Sequence, residues 1–366
     1  MPRVVLIGPR PGARGGIAQF LDHLSRALEP EADVRRIAFA RLYPAWTAAG
    51  RNESIDPHPG ASAEASLLAW RPSTWRRTAR RIAALRPDLV VVQWWHPAFG
   101  PCLRFLARAA RACGARVVFV CHNAKPHERF PLGAWLTRSA LARADGLVAL
   151  SESTAGELRA MLPGTPLEVE AHPAYTFPAT AASRAQWRAQ AGAGPVVLFF
   201  GYVRPYKGLE DLIAAMAIVC GVHPGASLLV AGPFLDSPER YRDTARWAGV
   251  EDAVRLIPGY VPDAEVGGLL ATADTVVLPY RSASQSGVAP QAIAAGVPVV
   301  VTDVGGLAEA VRGRGEIVPP GDRDALAAGI LRALARPRSR PSQDSGWAAW
   351  RQLLLGAADS SSEAAA

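Results

Sequence analysis

Lysine is almost missing from this chain. Of 40 Lys+Arg in 366 residues only Lys125 and Lys207 are lysines, leaving 40 − 2 = 38 arginines. A lysine inside a motif therefore stands out. Cysteine is scarce as well. Cys102, Cys113, Cys121 and Cys220 show no C-x-x-C spacing, which argues against a disulfide framework and a zinc site and fits a reducing cytoplasm. No apolar run reaches the roughly 20 residues of a membrane span. The opening Met1-Pro2-Arg3-Val4-Val5-Leu6-Ile7-Gly8 is too soon broken for a signal peptide and reads as a first strand. The apolar fraction of 49% and charged fraction of 20% describe an ordinary globule, and the length predicts two domains.

The net charge of +8 is unevenly placed. Residues 1–180 hold 23 Lys+Arg and 14 Asp+Glu (+9), whereas residues 181–366 hold 17 and 18 (−1). The densest patch is Trp70 to Ile82. With Ser73 as a helix cap, Arg76 and Arg80, then Arg77 and Arg81, are i,i+4 pairs on one cationic face, with Trp75 and Ile82 on the other. Such a helix suits an anionic membrane surface, or is simply the solvated face of an arginine-rich protein. Nucleic acid is not expected, because no aromatic-interleaved motif accompanies the charge.

Short apolar runs alternate with helical patterns along the chain. Val4–Gly8, Asp88–Trp94, Arg116–Cys121 and Gly146–Leu150 read as strands of the first half, with helices at Ile17–Leu28, Pro101–Cys113 and Leu132–Arg143. Around His172–Gly194 the pattern breaks into what reads as a connection. Val196–Phe200, Ser227–Ala231, Val254–Ile257, Thr275–Leu278 and Pro298–Thr302 are strands of the second half. Strands alternating with helices predict α/β domains with parallel sheets. The expected domains are 1–175 and 176–338, followed by a segment, 339–366, with one apolar helix over Trp347–Leu355 and a disordered Ser/Ala/Glu end.

Unusual loops follow the strands. The octet Gly201-Tyr202-Val203-Arg204-Pro205-Tyr206-Lys207-Gly208 puts a glycine turn and two cations between a strand and a helix. That order suits a phosphate beside a helix N-terminus, with arginine as a fork and lysine as a point charge. After the first strand, Gly15-Gly16 opens a helix, so backbone N–H groups can approach a phosphate; it is neither the G-x-G-x-x-G fingerprint nor a Walker loop. His96 follows one strand, and Cys121-His122-Asn123-Ala124-Lys125-Pro126-His127-Glu128 closes the next. Three histidines past two strand ends, where clefts form, point to function at His122. Finally, Tyr280 to Val300 is a Ser/Gly-rich loop entering a small-residue helix, Val288–Ala295, capped by Gly296. Its Gln285-Ser286-Gly287 turn offers N–H groups to an anion, or is a tight capped loop. Asp322-Arg323-Asp324 has D-x-D form, yet precedes the helix Ala325–Leu334 and reads as its N-cap rather than as a metal site. No metal or cofactor is expected.

At these residues the chain resembles the retaining glycosyltransferases of family 4, the "group 1" transferases with the GT-B fold, over nearly its whole length. The resemblance implies two Rossmann-like parallel-sheet domains facing a central cleft, an acceptor-side N-terminal domain and a donor-binding C-terminal one, and a last helix, Trp347–Leu355, crossing back. It implies that Gly15 and Gly16 lie against the donor phosphates, that His122 and Asn123 close a strand beside the donor sugar, and that Gly201 to Gly208 grips the diphosphate. Gly259-Tyr260-Val261-Pro262-Asp263 would meet the nucleobase, with Val261 and Pro262 as contacts. Gln285, Ser286, Gly287 and Gln291 would hold the donor. One departure matters: where the family carries Glu-x7-Glu, this chain has Ala283 and Gln291. A glutamine can still bond ribose hydroxyls; an alanine offers the sugar no side-chain contact.

The implied activity is that of a retaining hexosyltransferase moving a sugar from a nucleoside-diphosphate donor to a saccharide, lipid-linked or small-molecule acceptor, as in polysaccharide or glycolipid biosynthesis. Such catalysis rests on charge stabilisation and positioning. Arg204 and Lys207 would stabilise the leaving diphosphate, His122 would orient the sugar or support charge near the anomeric centre, and His96 and Asn123 would face the acceptor. Two other readings remain: a sugar-nucleotide epimerase of GT-B fold, and a non-catalytic sugar-nucleotide-binding partner. The expected location is the cytoplasm, at the inner membrane face if the Trp70–Ile82 helix contacts lipid.

Overall fold

The computed structural model describes residues 1–44, 65–125, 130–342 and 345–363. The chain divides into two compact units, Met1–Ala171 with Gly346–Ala366, and His172–Ser345. The boundaries expected from sequence fall after residues 175 and 338.

In the first unit the strands are β1 (Arg3–Gly8), β2 (Asp33–Arg41), β3 (Ala65–Leu68), β4 (Leu89–Trp94), β5 (Arg116–Cys121), β6 (Gly146–Ala149) and β7 (Leu167–Val169). They form a sheet in the order β3-β2-β1-β4-β5-β6-β7, and each described pairing is parallel. The helices are α1 (Gly16–Leu28), α2 (Pro72–Leu85), α3 (Gly100–Ala112), α4 (Gly133–Leu141) and α5 (Glu152–Met161). A parallel sheet covered on both faces asks its central strands to be apolar throughout; Leu-Val-Val-Val-Gln-Trp of β4 is buried along its whole length, and Gln93 is its one polar residue.

The second unit repeats the scheme. Its strands are β8 (Val196–Phe200), β9 (Ser227–Gly232), β10 (Val254–Pro258), β11 (Thr275–Leu278), β12 (Val299–Thr302) and β13 (Glu316–Val318), in the order β10-β9-β8-β11-β12-β13. Its helices are α6 (Ala181–Ala191), α7 (Leu209–Val222), α8 (Pro238–Trp247), α9 (Asp263–Thr272), α10 (Val288–Ala294), α11 (Gly306–Val311) and α12 (Arg323–Leu334). Here Asp322 accepts from the Ala325 N–H at 2.9 Å, as an N-cap does. The segment read as a connection is part of this unit: Trp187 and Ala191 of α6 join its core.

The last helix, α13 (Trp347–Glu363), packs on α1 of the first unit. Trp350 is fully buried there and donates its indole N–H to the Ala171 carbonyl at 2.9 Å. The helix runs past Leu355 to Glu363, where the sequence suggested disorder. Ala357 and Ala358 are strong helix formers, and Ala358 is buried.

α2 also differs from expectation. Arg71, not Ser73, stands at the cap position, and Pro72 opens the helix. Thr74 ties this end to Leu68 through its hydroxyl. Trp75 points into the fold, its indole N–H donating to the Leu68 carbonyl at 2.9 Å and its ring packing on Phe105. Arg76, Arg77 and Arg80 are exposed.

Candidate functional site

An open parallel sheet binds ligands beyond the carboxyl ends of its strands, where the strand order reverses. In the second unit that point lies between β8 and β11. The loops leaving these two strands are the octet Gly201–Gly208 and the Ser/Gly-rich loop that begins at Pro279.

Their backbones interlock. The Arg281 N–H donates to the Tyr206 carbonyl at 2.7 Å, and the Arg281 guanidinium takes Asp211 of α7 in a two-pronged pair at 2.7 and 2.9 Å. Gly208 sits at φ +66°, and a Cβ there would lie 2.0 Å from the Pro279 carbonyl oxygen, so only glycine lets the turn lie this close to the end of β11. Arg204 leads into the 3-10 turn Pro205–Lys207. The Lys207 ammonium folds over the Tyr280 ring, 4.8 Å from its centroid, a cation–π arrangement. It also stands 3.6 Å from where a Gly201 Cβ would be. Gly201, Lys207 and Tyr280 thus converge at the switch point.

Further along, Gly306 N–H donates to the Ser284 carbonyl at 3.1 Å, and Ser286 Oγ accepts from Val288 N–H at 3.2 Å at the start of α10. Gly287 lies against the His172 ring, 3.2 Å from a hypothetical Cβ. Burial pulls the His172 pKa down to about 4. Gln291 is 5% exposed on α10. Its Oε1, and that of Gln285, are buried with no hydrogen-bond partner among the described residues. Buried amide oxygens normally have partners, so this loop presents two acceptors suited to hydroxyl donors. Val261, after β10, joins the hydrophobic core while Pro262 is exposed. What this loop can offer a planar ring is therefore backbone, Pro262 and the half-buried Tyr260 rather than the Val261 side chain.

In the first unit the order reverses between β1 and β4. The loop after β1 is anchored by Asp22 of α1, which pairs with Arg36 and accepts from Gly12 N–H at 3.1 Å. It ends at Gly15, φ +126°, immediately before α1, and, chain neighbours and the helix backbone apart, no atom of the described residues lies within 4 Å of a Cβ position at Gly15 or Gly16. After β4, the His96 Nδ1 accepts from Ala98 N–H at 3.1 Å and caps the 3-10 turn Pro97–Phe99, a structural duty. Its ring meets Phe130 edge-on, centroids 4.9 Å apart. After β5, Asn123 donates to the Trp95 carbonyl at 2.8 Å, tying two strand ends together. Its Oδ1 is buried and lacks a partner among the described residues. His122 is 5% exposed and meets Gln93 of β4 at 2.7 Å. His127 lies outside the described residues.

Four residues at these strand ends escaped the sequence reading. Tyr280, Arg281 and Asp211 organise the second unit's loops, and no local spacing announces contacts between residues 70 positions apart. Gln93 left a signal: a polar residue inside an otherwise apolar strand, one strand from a histidine. Among the described residues no group of three His, Cys, Asp or Glu side chains is placed to hold a metal ion. No helix among them is long and apolar enough to cross a membrane.

Two family descriptions match the chain. Residues 14–170 match Glycosyltransferase Family 4, and residues 194–336 match Glycosyl transferases group 1. A D-inositol 3-phosphate glycosyltransferase of Segniliparus rotundus is 36% identical over 179 residues, 47% of this chain and 40% of that protein. The chain thus aligns with less than half the length of that relative. Two solved structures share the fold over its whole extent. Sucrose-phosphate synthase from Thermosynechococcus elongatus superposes with a TM-score of 0.67 at 22% identity, covering 99% of this chain and 94% of the other. Anabaena HepE in complex with UDP and glucose gives 0.69 at 17% identity, covering 99% of both.

Proposed function

The chain belongs to the group 1, family 4 glycosyltransferases of GT-B fold, and we propose that it moves a sugar, with retention of configuration and without a metal ion, from a nucleoside-diphosphate sugar to an acceptor hydroxyl. The observation that carries this reading is the second unit's switch point, where Lys207 and the octet are bound to Tyr280 and Arg281 at the start of the Ser/Gly-rich loop, and where the buried amide oxygens of Gln285 and Gln291 lack a partner among the described residues. In the transfer, the bond from the anomeric carbon to the diphosphate oxygen breaks while the acceptor oxygen bonds to the same face of that carbon. The acceptor proton passes to the departing diphosphate. The charge developing on that leaving group is the chief barrier, and preorganised cations lower it most.

Arg204 and Lys207 are assigned to the diphosphate, with backbone N–H groups at Ser286 and Gly287; the Gly201 N–H is taken by the Ala231 carbonyl at 3.0 Å, and Gly201 serves as the side-chain-free turn beside Lys207. The amides of Gln285 and Gln291 are assigned to ribose and sugar hydroxyls, in place of the acidic pair usual in the family. Val261 and Pro262 mark the loop assigned to the base. In the first unit, Gly15 and Gly16 offer N–H groups to phosphate, His122 orients the transferred sugar, and His96 and Asn123 serve the acceptor. The acceptor class assigned is a saccharide, a lipid-linked or a small-molecule acceptor.

A lipid-linked acceptor gains support from α2, α3 and α4. These three helices carry Arg76, Arg77, Arg80, Arg81, Arg104, Arg108, Arg111 and Arg138 and no acidic residue. The exposed Leu132 and Trp135 accompany them. Since Trp75 is turned inward, the apolar component of a membrane contact falls to these side chains of the α4 end. Vesicles with phosphatidylglycerol should sediment the protein at low salt and release it at high salt; no binding at low salt removes the membrane contact.

The donor reading is tested by thermal shift of wild type and Lys207→Ala against UDP-, GDP-, ADP- and dTDP-sugars and the free diphosphates. A ligand at 100 times its Kd adds about 2.7 kcal/mol to the native state. Stabilisation by one base, lost in the variant, is expected. No shift with any nucleotide would instead favour a protein that does not use such donors.

A further inference from the structure

We propose that Gln93 is the positioning residue of His122, fixing a neutral ring with its proton on Nε2 and its lone pair on Nδ1. The proposal rests on the reading that His122 serves the transfer. Parallel pairing of β4 and β5 sets Gln93 beside Val120 and Trp94 beside Cys121, and the His122 N–H continues the ladder to the Trp94 carbonyl at 2.9 Å. This register leaves Gln93 as the last inward polar group of β4, with no exposure to solvent. Its Oε1 meets His122 Nε2 at 2.7 Å.

A carboxamide oxygen only accepts, so the ring nitrogen facing it must donate. The choice of an amide also matters. A carboxylate at position 93 would draw a second proton onto the ring and stabilise the imidazolium; a neutral amide in a fully buried place favours the uncharged ring. What orients a histidine's second nitrogen is the hydrogen bond made by the first.

The ring is held from a second direction by Phe20 of α1, edge to face with centroids 5.2 Å apart. Phe20 is itself packed against Trp350 at 5.0 Å and Trp347 at 5.5 Å. Several ionisable groups on these surrounding elements have partners of their own; Arg26 of α1 and Arg116 of β5 also belong to these elements. Cys121, next to His122, is a buried thiol pushed well above its ordinary range. On α1, Asp22 is paired with Arg36 and His23 is stacked on Trp347. On α13, Arg351 pairs with Glu31.

The first measurement is 15N NMR of the wild-type protein with ring-labelled histidine, which reports the tautomer whether or not the protein is active. A neutral ring protonated on Nε2 is expected for His122, assigned with His122→Gln; protonation on Nδ1, or an imidazolium at pH 7.5, overturns the proposal. Next, Gln93→Met keeps the volume and removes the acceptor. Turnover should fall at least tenfold with donor KM within twofold of wild type, whereas unchanged kcat overturns the positioning role. Gln93→Glu should move the acidic limb of the pH–rate profile upward by a unit or more, and an unmoved limb counts against it. Should the methionine variant not fold, the wild-type tautomer and the glutamate profile still decide. Failure of the underlying reading looks different: His122→Ala would then retain full activity while the wild-type tautomer stayed on Nε2.

Discussion

Lys207 shows how a single residue becomes legible. In a chain with two lysines, one placed between a strand and a helix, after Gly201 and before Gly208, stands out by composition alone. The structure adds what composition could not supply: the ammonium lies over Tyr280, at the end of the neighbouring strand in the sheet. Removing it should cost about 3 kcal/mol of transition-state stabilisation, as for one oxyanion donor. Lys207→Ala should therefore lose two or more orders of magnitude in kcat, measured by release of nucleoside diphosphate; near wild-type turnover would end its assignment. Gly208 makes a different demand. Its positive φ and the Pro279 carbonyl 2.0 Å from a Cβ position leave no room for a side chain. Gly208→Ala should force the octet away from β11, lowering Tm and weakening nucleotide binding together. An unchanged Tm with unchanged nucleotide affinity would show that the turn adapts freely. Glycines and lone cations can be read from a sequence because their chemistry is local. The Arg281–Asp211 pair and the His172–Gly287 contact were not legible, because sheet order, not spacing, brings those residues together.

Elements were legible where burial on both faces forces an unbroken apolar run. β5, β8 and β11 match their expected bounds, and β4, β9, β10 and β12 differ by a residue at one end. β2 was missed because Asp-Val-Arg-Arg-Ile-Ala-Phe-Ala-Arg breaks its apolar run with arginines, of which Arg36 turns to the Asp22 carboxylate and the Pro9 carbonyl. β7 and β13, three residues each at the sheet edges, are too short to show a period. The last helix was found but cut short, since serines suggest a frayed end while tertiary packing extends it. α13 contributes to the first unit mainly through Trp350, whose ring fills the space beside Phe20 and whose N–H satisfies Ala171. Truncating a buried tryptophan costs about 3–5 kcal/mol. Trp350→Ala should lower the melting of the first unit by roughly 10 °C, read by calorimetry. A loss of only a degree or two would mean that α13 is a loosely attached appendage. Because Phe20 also touches His122, turnover should fall in the same variant at temperatures where it remains folded.

At the scale of the whole molecule, the described residues form two hydrophobic cores. One centres on β4 and β5 and the other on β8, β9, β11 and β12, and each consists of residues from a single unit. Separate cores favour separate cooperative transitions, and one titrating group distinguishes them. His172 belongs to the second unit, and burial lowers its pKa from 6.5 to about 4. Above pH 6.5 both folded and unfolded chains hold it neutral, so it makes no difference to stability. Below that, the unfolded chain binds a proton that the folded unit refuses. Stability therefore falls as pH drops from about 6.5 towards 4, and levels off once the folded form also protonates. Between pH 7 and 5, above most carboxylate titrations, this amounts to at most about 2 kcal/mol. Calorimetry across that window should show one transition moving down by several degrees while the transition lowered by Trp350→Ala stays in place. A His172→Gln variant should flatten the moving transition. If instead the acid-sensitive transition is the one that Trp350→Ala lowers, or if His172→Gln leaves the slope unchanged, His172 is not the group that couples the second unit to pH. Its seat against Gly287 gives the same titration a second reading: between pH 7 and 5, nucleotide affinity should hold while stability declines, since the folded ring stays neutral beside that loop.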